Sequence, residues 1–138
     1  VDFVSIGSND LTQYLLAVDR NNARGTNLYN TFHPAVIQAL CDIAEAAHEA
    51  SLPVSLCGEL GSDPMATLLL IGMGFNAISM NSASLLKIKW VVRGYSKTHC
   101  RQILYKVKTL KTSSAIRKYL ENELIEGGFG GLIRAGKD

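Results

Sequence analysis

Apolar and polar positions along the chain form short β-prone segments that alternate with longer segments of helical spacing. Strand-favouring residues that run into turn residues predict three strands, at residues 2–6, 54–57 and 77–80. Apolar residues three and four positions apart predict helices, over residues 11–18, Pro34 to about Ala50, Pro64 to Gly72 or Gly74, and about Ser84 to Val91. This alternation indicates parallel strands joined by helical crossovers and therefore an α/β fold.

After about residue 95 the strand pattern stops. Apolar spacing over residues 103–110 and 116–124 predicts two amphipathic helices, and the glycine-rich stretch Gly127–Gly131 is predicted to be a flexible tail. Three parallel strands do not close a barrel and leave two unpaired edges, whereas a complete (β/α)₈ barrel needs about 250 residues. We therefore expect part of a larger domain over residues 1–94, followed by a helical extension over 95–138. An autonomous three-stranded sheet is the alternative.

Composition adds that the chain is globular, with 47% hydrophobic and 19% charged residues. No apolar run approaches the roughly 18 residues of a membrane span, and the N-terminus does not resemble a signal peptide. The three cysteines are an odd number, which argues against a disulfide framework and favours a reducing, cytoplasmic location. We expect no membrane association.

The net charge of +2 conceals a strong segregation. Residues 1–86 carry a net charge of −6, residues 87–118 contain ten bases and no acid, and residues 119–138 carry −2. Four of the bases are predicted to share one helix face: Lys97, Arg101, Lys108 and Lys111. We interpret the basic segment as a solvated surface or a docking surface for an acidic partner. Nucleic-acid binding is not expected, because no aromatic residues interleave with the bases.

Candidate chemistry lies where the predicted strands end, since parallel α/β folds bind ligands at the carboxyl ends of their strands. Those ends are Gly7–Asp10, Cys57–Glu59 and Met80–Ser82. Carboxylates such as Asp10 and Glu59 suit Mg²⁺ better than Zn²⁺. Helix N-termini there favour anions such as phosphate. The pattern indicates an anionic, metal-assisted site.

Structural interpretations compete with each of these functional ones. Asn9 and Asp10 are also good helix caps, and a cysteine at a strand end such as Cys57 is often a small buried hydrophobic residue. The other two cysteines, Cys41 and Cys100, are interpreted as chemically inert. Trp90 is predicted to lie in the core.

Longer motifs link these segments. Residues 5–22 (SIGSNDLTQYLLAVDRNN), 57–64 (CGELGSDP) and 68–80 (LLLIGMGFNAISM) resemble, in the same order, the motifs of the phosphoenolpyruvate-protein phosphotransferases, the enzyme I family of the bacterial phosphotransferase system. Pyruvate phosphate dikinases and phosphoenolpyruvate synthases share the core of the first motif but usually diverge from the rest. The ending GGFGGLIRAGK at 127–137 resembles the nitrogen-branch paralogue.

The resemblance implies that residues 1–94 belong to the C-terminal part of a (β/α)₈ barrel that binds phosphoenolpyruvate (PEP) and Mg²⁺. Family members phosphorylate a histidine on a separate domain and then a histidine-containing phosphocarrier protein, and they form homodimers. Asp10 matches the Mg²⁺-binding aspartate, while Asn9 and Arg20 match residues that contact the substrate. Cys57 matches the thiol that protonates C3 of the pyruvate enolate, with Glu59 as possible support.

The family's phosphorylated histidine, its second Mg²⁺ carboxylate and other phosphate-binding arginines match nothing in this chain. We therefore expect that the chain alone does not complete the reaction. A non-catalytic module for dimerisation or assembly is the alternative function.

Overall fold

The secondary structure alternates strands with helices and then continues as helices alone. The computed structural model describes residues 1–19 and 28–134. The first half of the order is β1 (Val4–Gly7), α1 (Ser8–Leu16), α2 (Pro34–Glu49), β2 (Val54–Cys57), a 3₁₀ turn (Glu59–Ser62), α3 (Pro64–Met73) and β3 (Ala77–Ile78). The second half is α4 (Ser82–Gly94), α5 (Lys97–Thr109), α6 (Ser113–Glu126) and α7 (Gly130–Arg134).

The three strands form one parallel sheet in the order β1-β2-β3. The prediction of an α/β fold with parallel strands is confirmed, and the arrangement is consistent with part of a (β/α)₈ barrel. Ile6, Val54 and Leu56 are buried on the face that the helices cover. Side chains alternate between faces along a strand, so Ser5 and Cys57 lie on the opposite face, where both are exposed. The sheet is therefore covered on one side among the described residues.

Local signals set the helix starts that the sequence predicts. Pro34 opens α2, and the imidazole Nδ1 of His33 accepts a hydrogen bond from the Ala35 backbone N–H at 3.1 Å. Pro64 opens α3 in the same way, and the Asp63 carboxylate accepts from the Met65 N–H at 2.8 Å. Proline at the first helical position and a capping side chain before it are strong start signals.

Helix α3 is the centre of the core, and eight of its ten residues are buried. It runs through Gly72 and ends only at Gly74, whose φ of +84° provides the left-handed C-cap. Gly72 is needed for packing instead: a Cβ there would lie 2.6 Å from the carbonyl oxygen of Cys100 on α5. The backbones of helices α3 and α5 are therefore nearly in contact at this point, with no room for a side chain between them. The core cluster extends without a break from the sheet to Leu120 of α6.

Three predictions for the C-terminal half are wrong. Trp90 is 53% exposed, because α4 turns Ile88 and Val91 inward instead. The glycine-rich stretch is ordered by Phe129, which is 5% exposed and whose ring lies 4.8 Å from that of Trp90, and helix α7 follows it. Lys111 lies beyond the end of α5, so it does not share that helix's basic face.

Within residues 1–19 and 28–134, no helix combines the length and the hydrophobicity that crossing a membrane requires.

Candidate functional site

The ends of β1 and β2 bring together the first two sequence motifs, which begin at residues 5 and 57. Gly7, the last residue of β1, is in register with Cys57, the last residue of β2. Neighbouring strands lie about 4.8 Å apart, so the residues that follow these positions are also neighbours. The segments Ser8–Asp10 and Gly58–Glu59, fifty residues apart in sequence, thus form one edge of the sheet.

Asn9 connects the two segments directly. Its side-chain oxygen Oδ1 accepts a hydrogen bond from the backbone N–H of Glu59 at 3.2 Å and faces the hydroxyl of Ser8 at 3.5 Å. The hydroxyl of Tyr29 donates to the Asn9 carbonyl at 3.4 Å. Asn9 therefore serves as a bridge between strand ends and not as a helix cap.

Gly58 makes this close approach possible. Its φ of +106° lies in a region that L-residues with side chains rarely adopt. A Cβ at this position would also overlap the hydroxyl oxygen of Ser8 and lie 3.2 Å from Oδ1 of Asn9. The sequence analysis missed the roles of Ser8 and Gly58. Gly58 was a detectable signal as a glycine directly after a strand, but its partner could not be identified without the strand register.

Asp10 lies in the first turn of α1 and is exposed. Helix α1 is capped by Gly7 with no side-chain hydrogen bond, so the interpretation of Asp10 as a cap is wrong. A Cβ on Gly7 would lie 3.6 Å from Oδ2 of Asp10, which shows that the carboxylate reaches back over the end of β1. An exposed carboxylate in this place can bind a cation or a polar ligand.

Cys57 is the exposed thiol of the molecule, whereas Cys41 and Cys100 are buried. The interpretation of Cys57 as a buried hydrophobic residue is therefore wrong. Burial raises the pKa of both Cys41 and Cys100 to about 11, so these two thiols stay neutral. Their predicted chemical inertness agrees with this geometry. The position of Cys57 at the strand end and its exposure leave its thiol accessible to a substrate.

Glu59 is exposed and begins the 3₁₀ turn that follows Gly58. It lines a cleft of about 410 Å³ between this turn and helices α3, α4, α6 and α7. Lys87 and Arg117 contribute cationic side chains to the same cleft, and the guanidinium carbon of Arg117 lies 4.5 Å from the centre of the Phe32 ring. The sequence analysis did not connect these bases with the strand-end segments.

The residues that follow the third strand, β3, make structural contacts. The side chain of Asn81 accepts a hydrogen bond from the Ser84 N–H at 2.9 Å and caps α4. Gly61 of the 3₁₀ turn packs so closely on the Ser79 carbonyl that a Cβ would overlap it. Arg20, the remaining predicted substrate residue, lies outside the described residues.

Within the described part of the chain, no group of three His, Cys, Asp or Glu side chains is placed to hold a metal ion. Mg²⁺ commonly binds through one or two carboxylates and completes its shell with waters and substrate phosphate oxygens. Asp10 is suited to such a site as one carboxylate ligand.

Comparison with known proteins agrees with these motifs. The family model described as PEP-utilising enzyme, PEP-binding domain, matches residues 1–97. Proteins named phosphoenolpyruvate-dependent phosphotransferase system from Salmonella typhimurium and Escherichia coli are 39% and 40% identical over 136 residues, which is 99% of this chain and 18% of each relative. A phosphoenolpyruvate-protein phosphotransferase from Buchnera aphidicola is 43% identical over 122 residues, 88% of this chain and 21% of its own length.

The chain thus spans about a fifth of the length of these curated relatives. Their names do not distinguish the nitrogen branch, so that assignment stays a prediction. The family model covers more than half of the chain and includes both strand-end segments. The chain belongs to the PEP-utilising enzymes, as a part of their PEP-binding domain.

Proposed function

We propose that this chain supplies part of the PEP site of a phosphoenolpyruvate-protein phosphotransferase. In the proposed reaction the phosphoryl group moves from PEP to an enzyme histidine outside this chain and then to a histidine-containing phosphocarrier protein. The observation that carries the proposal is the in-register pairing of Gly7 with Cys57, because the strand end with the exposed thiol is then the neighbour of the strand end that leads into Asn9 and Asp10. We also propose a cytoplasmic location, where the three free cysteines would stay reduced.

The reaction requires an acid next to the substrate carbon. Transfer breaks the bond between the bridging oxygen and phosphorus, forms a nitrogen–phosphorus bond on the histidine and leaves the enolate of pyruvate. C3 of the enolate must then receive a proton. We assign this role to the exposed thiol of Cys57, which donates its proton to C3 and recovers one from water.

The other site residues stabilise negative charge in this proposal. The amide group of Asn9 donates to a phosphate oxygen, and the guanidinium of Arg20 binds oxygens of PEP, for which its planar donors are well suited. Asp10 would hold Mg²⁺, which supplies electrostatic stabilisation of the transferring phosphoryl group when bound. Glu59 supports the site through its backbone contact with Asn9.

The direct test is a substitution of Cys57. It is made in the full-length protein that the gene encodes, including any sequence before or after these 138 residues. Cys57→Ala is expected to lower deuterium incorporation from solvent at C3 of pyruvate by at least about 100-fold, the lower end of the range for general acids. Ser55→Ala is the matched control, since Ser55 lies on the same face of β2 two residues earlier. Undiminished incorporation in Cys57→Ala would contradict the acid role.

A calorimetric test addresses Asp10. Asp10→Ala should abolish the Mg²⁺-dependent part of PEP binding, and Asp42→Ala, which removes an exposed carboxylate of helix α2, should leave it unchanged. Equal Mg²⁺ dependence in both variants would remove Asp10 from the metal site.

Exposed apolar residues on α4 support the assembly role as a second proposal. Leu85, Leu86 and Val92 are 52%, 80% and 42% exposed, and apolar patches on a surface mark interaction sites. We propose that this helix contributes to a homodimer. Sedimentation velocity should show a dimer that Leu86→Lys weakens; a monomeric wild type would overturn this role and leave the PEP site unaffected.

A further inference from the structure

We propose that Ser8 is a positioning residue, whose hydroxyl fixes the segment that carries Cys57 against the start of α1. The inference rests on the proposed function, because the position of Cys57 matters only if its thiol takes part in the reaction. Ser8 itself is not required to contact substrate. Its effect is transmitted through Gly58 and Asn9.

The surroundings of Ser8 are unusual for a polar residue at a functional edge. Ser8 is 1% exposed, although it follows a strand end and begins a helix. Its carbonyl oxygen accepts a hydrogen bond from the hydroxyl of Thr12 at 2.8 Å, and Thr12 is fully buried. The backbone of Ser8 is thereby fixed by its own helix, and its hydroxyl is directed toward β2.

The hydroxyl of Ser8 occupies the space that Gly58 leaves empty. A Cβ on Gly58 would overlap the Ser8 oxygen, so the two residues are in contact only because Gly58 has no side chain. Gly58 directly follows Cys57 in the chain. The position of the Ser8 oxygen therefore limits how close the Cys57 segment comes to α1.

Asn9 completes the contact with a defined orientation of its amide. The Glu59 N–H is a donor, so the Asn9 atom 3.2 Å from it must be the oxygen Oδ1. The Ser8 hydroxyl lies 3.5 Å from the same oxygen and adds a second donor. The Nδ2 group consequently points away from the loop, and within the described part of the chain it has no acceptor. It remains available to donate to an anionic ligand.

The far side of the loop is held as well. Gly61 packs on the carbonyl oxygen of Ser79 at the end of β3, again at a distance that excludes a Cβ. Residues 58–61 are thus confined between Ser8 on one side and Ser79 on the other. Loss of the Ser8 hydroxyl would therefore free only the end of this loop that faces Asn9 and follows Cys57, while the contact at Gly61 stays.

Proton transfer is sensitive to such a release, since a misplacement of about 1 Å can cost about 100-fold in rate. Binding of PEP depends on several charged groups and is less sensitive to one neutral contact. We therefore expect Ser8→Ala to slow protonation at C3 by roughly tenfold. The KM for PEP should stay within about threefold of the wild-type value, because the ligand contacts are retained.

The experiment compares wild type, Ser8→Ala, Ser8→Thr and Ser62→Ala in the gene product as encoded. Ser8→Thr keeps the hydroxyl and is expected to restore the rate. Ser62→Ala is the matched control in the same loop, since no hydrogen bond of the Ser62 side chain is found among the described residues. Two quantities are measured: deuterium incorporation at C3 of pyruvate, and amide hydrogen exchange of the peptide 57–62 by mass spectrometry.

Support requires slower C3 incorporation and faster exchange of peptide 57–62 in Ser8→Ala only, with the other peptides unchanged. An active wild type with normal incorporation in Ser8→Ala overturns the inference and leaves the proposed function in place. Faster exchange throughout the molecule shows a general loss of stability and also overturns it. A wild type that incorporates no deuterium identifies failure of the proposed function, and the positioning role falls with it.

Discussion

The strand-end segments and the C-terminal helices use their residues in opposite ways. The strand-end segments 7–10 and 57–61 expose the side chains of Asp10, Cys57 and Glu59, and they are held together by single hydrogen bonds and close contacts at glycines. Helices α5 and α6 instead bury apolar side chains against α3 and carry their charges outward. We therefore expect substitutions in the two regions to have different effects. Those in the strand-end segments should change the reaction rate, and those in the helices should change the free energy of unfolding.

The largest expected difference is in thiol accessibility. N-ethylmaleimide should label Cys57 on the order of 1000-fold faster than Cys100, because Cys57 is exposed and Cys100 must wait for local opening. Burial also raises the pKa of Cys100 to about 11, which further lowers its thiolate fraction. Mass spectrometry of labelled peptides measures both rates. Similar labelling rates for the two thiols would break the comparison.

The next effect tests the helical side. Leu120→Ala on α6 should lower the free energy of unfolding by about 3 kcal/mol, because Leu120 is fully buried and its truncation leaves a cavity. Leu28→Ala is the matched control and should change it by less than about 0.5 kcal/mol, since Leu28 is 66% exposed and lies outside the proposed dimer helix. Denaturant titration measures both variants. Equal losses would show that burial does not separate these leucines.

Gly58→Ala should cost about 2 kcal/mol, from a positive φ and from the overlap with Ser8. Gly131→Ala on α7 is its control, because a Cβ there meets nothing within 4 Å and its φ is not positive. We expect the control to be neutral or slightly stabilising. This pair sharpens the comparison, because Gly58→Ala should affect both the unfolding free energy and the C3 exchange of pyruvate. A Gly58→Ala protein with full activity would contradict the close contact.

The smallest effect concerns Asp63, which caps α3 between the two regions. Burial raises the pKa of the Asp63 carboxyl, so its ionised form is less favourable in the folded protein than in the unfolded chain. The Asp63 carboxyl therefore adds to the free energy of unfolding at low pH, where it is protonated. This contribution is lost as the pH rises from about 4 through the raised pKa. Asp63→Asn keeps an oxygen for the Met65 N–H and should gain in Tm relative to wild type as pH increases toward 7. A gain that shrinks with rising pH would reverse the sign assigned here.

Local signals explain why much of the fold could be predicted from the sequence. Pro34 and Pro64 mark helix starts by their own backbone chemistry, and the alternation of segments predicts parallel strands. The predictions of a buried Trp90 and of a flexible tail around Phe129 were wrong for a shared reason. The Phe129 ring packs on Trp90 and Gly94, which lie more than thirty residues earlier in the chain.

The candidate site follows the same rule. Motif resemblance gave Asn9, Asp10 and Cys57 as candidate site residues, but it could not reveal that Asn9 accepts a hydrogen bond from the backbone of Glu59. That contact exists only because Gly7 and Cys57 share a register, a property of the folded sheet.

One row of residues across the three strands consists of small side chains only. Ser5, Ser55 and Ala77 are paired directly across β1, β2 and β3, and their side chains lie on the face that the helices do not cover. Three small residues in one layer occupy little of the space inside a barrel, whose interior must be filled to the density of a crystal. Any strands that close this sheet into a barrel must therefore contribute bulky side chains at this height, just below the thiol of Cys57.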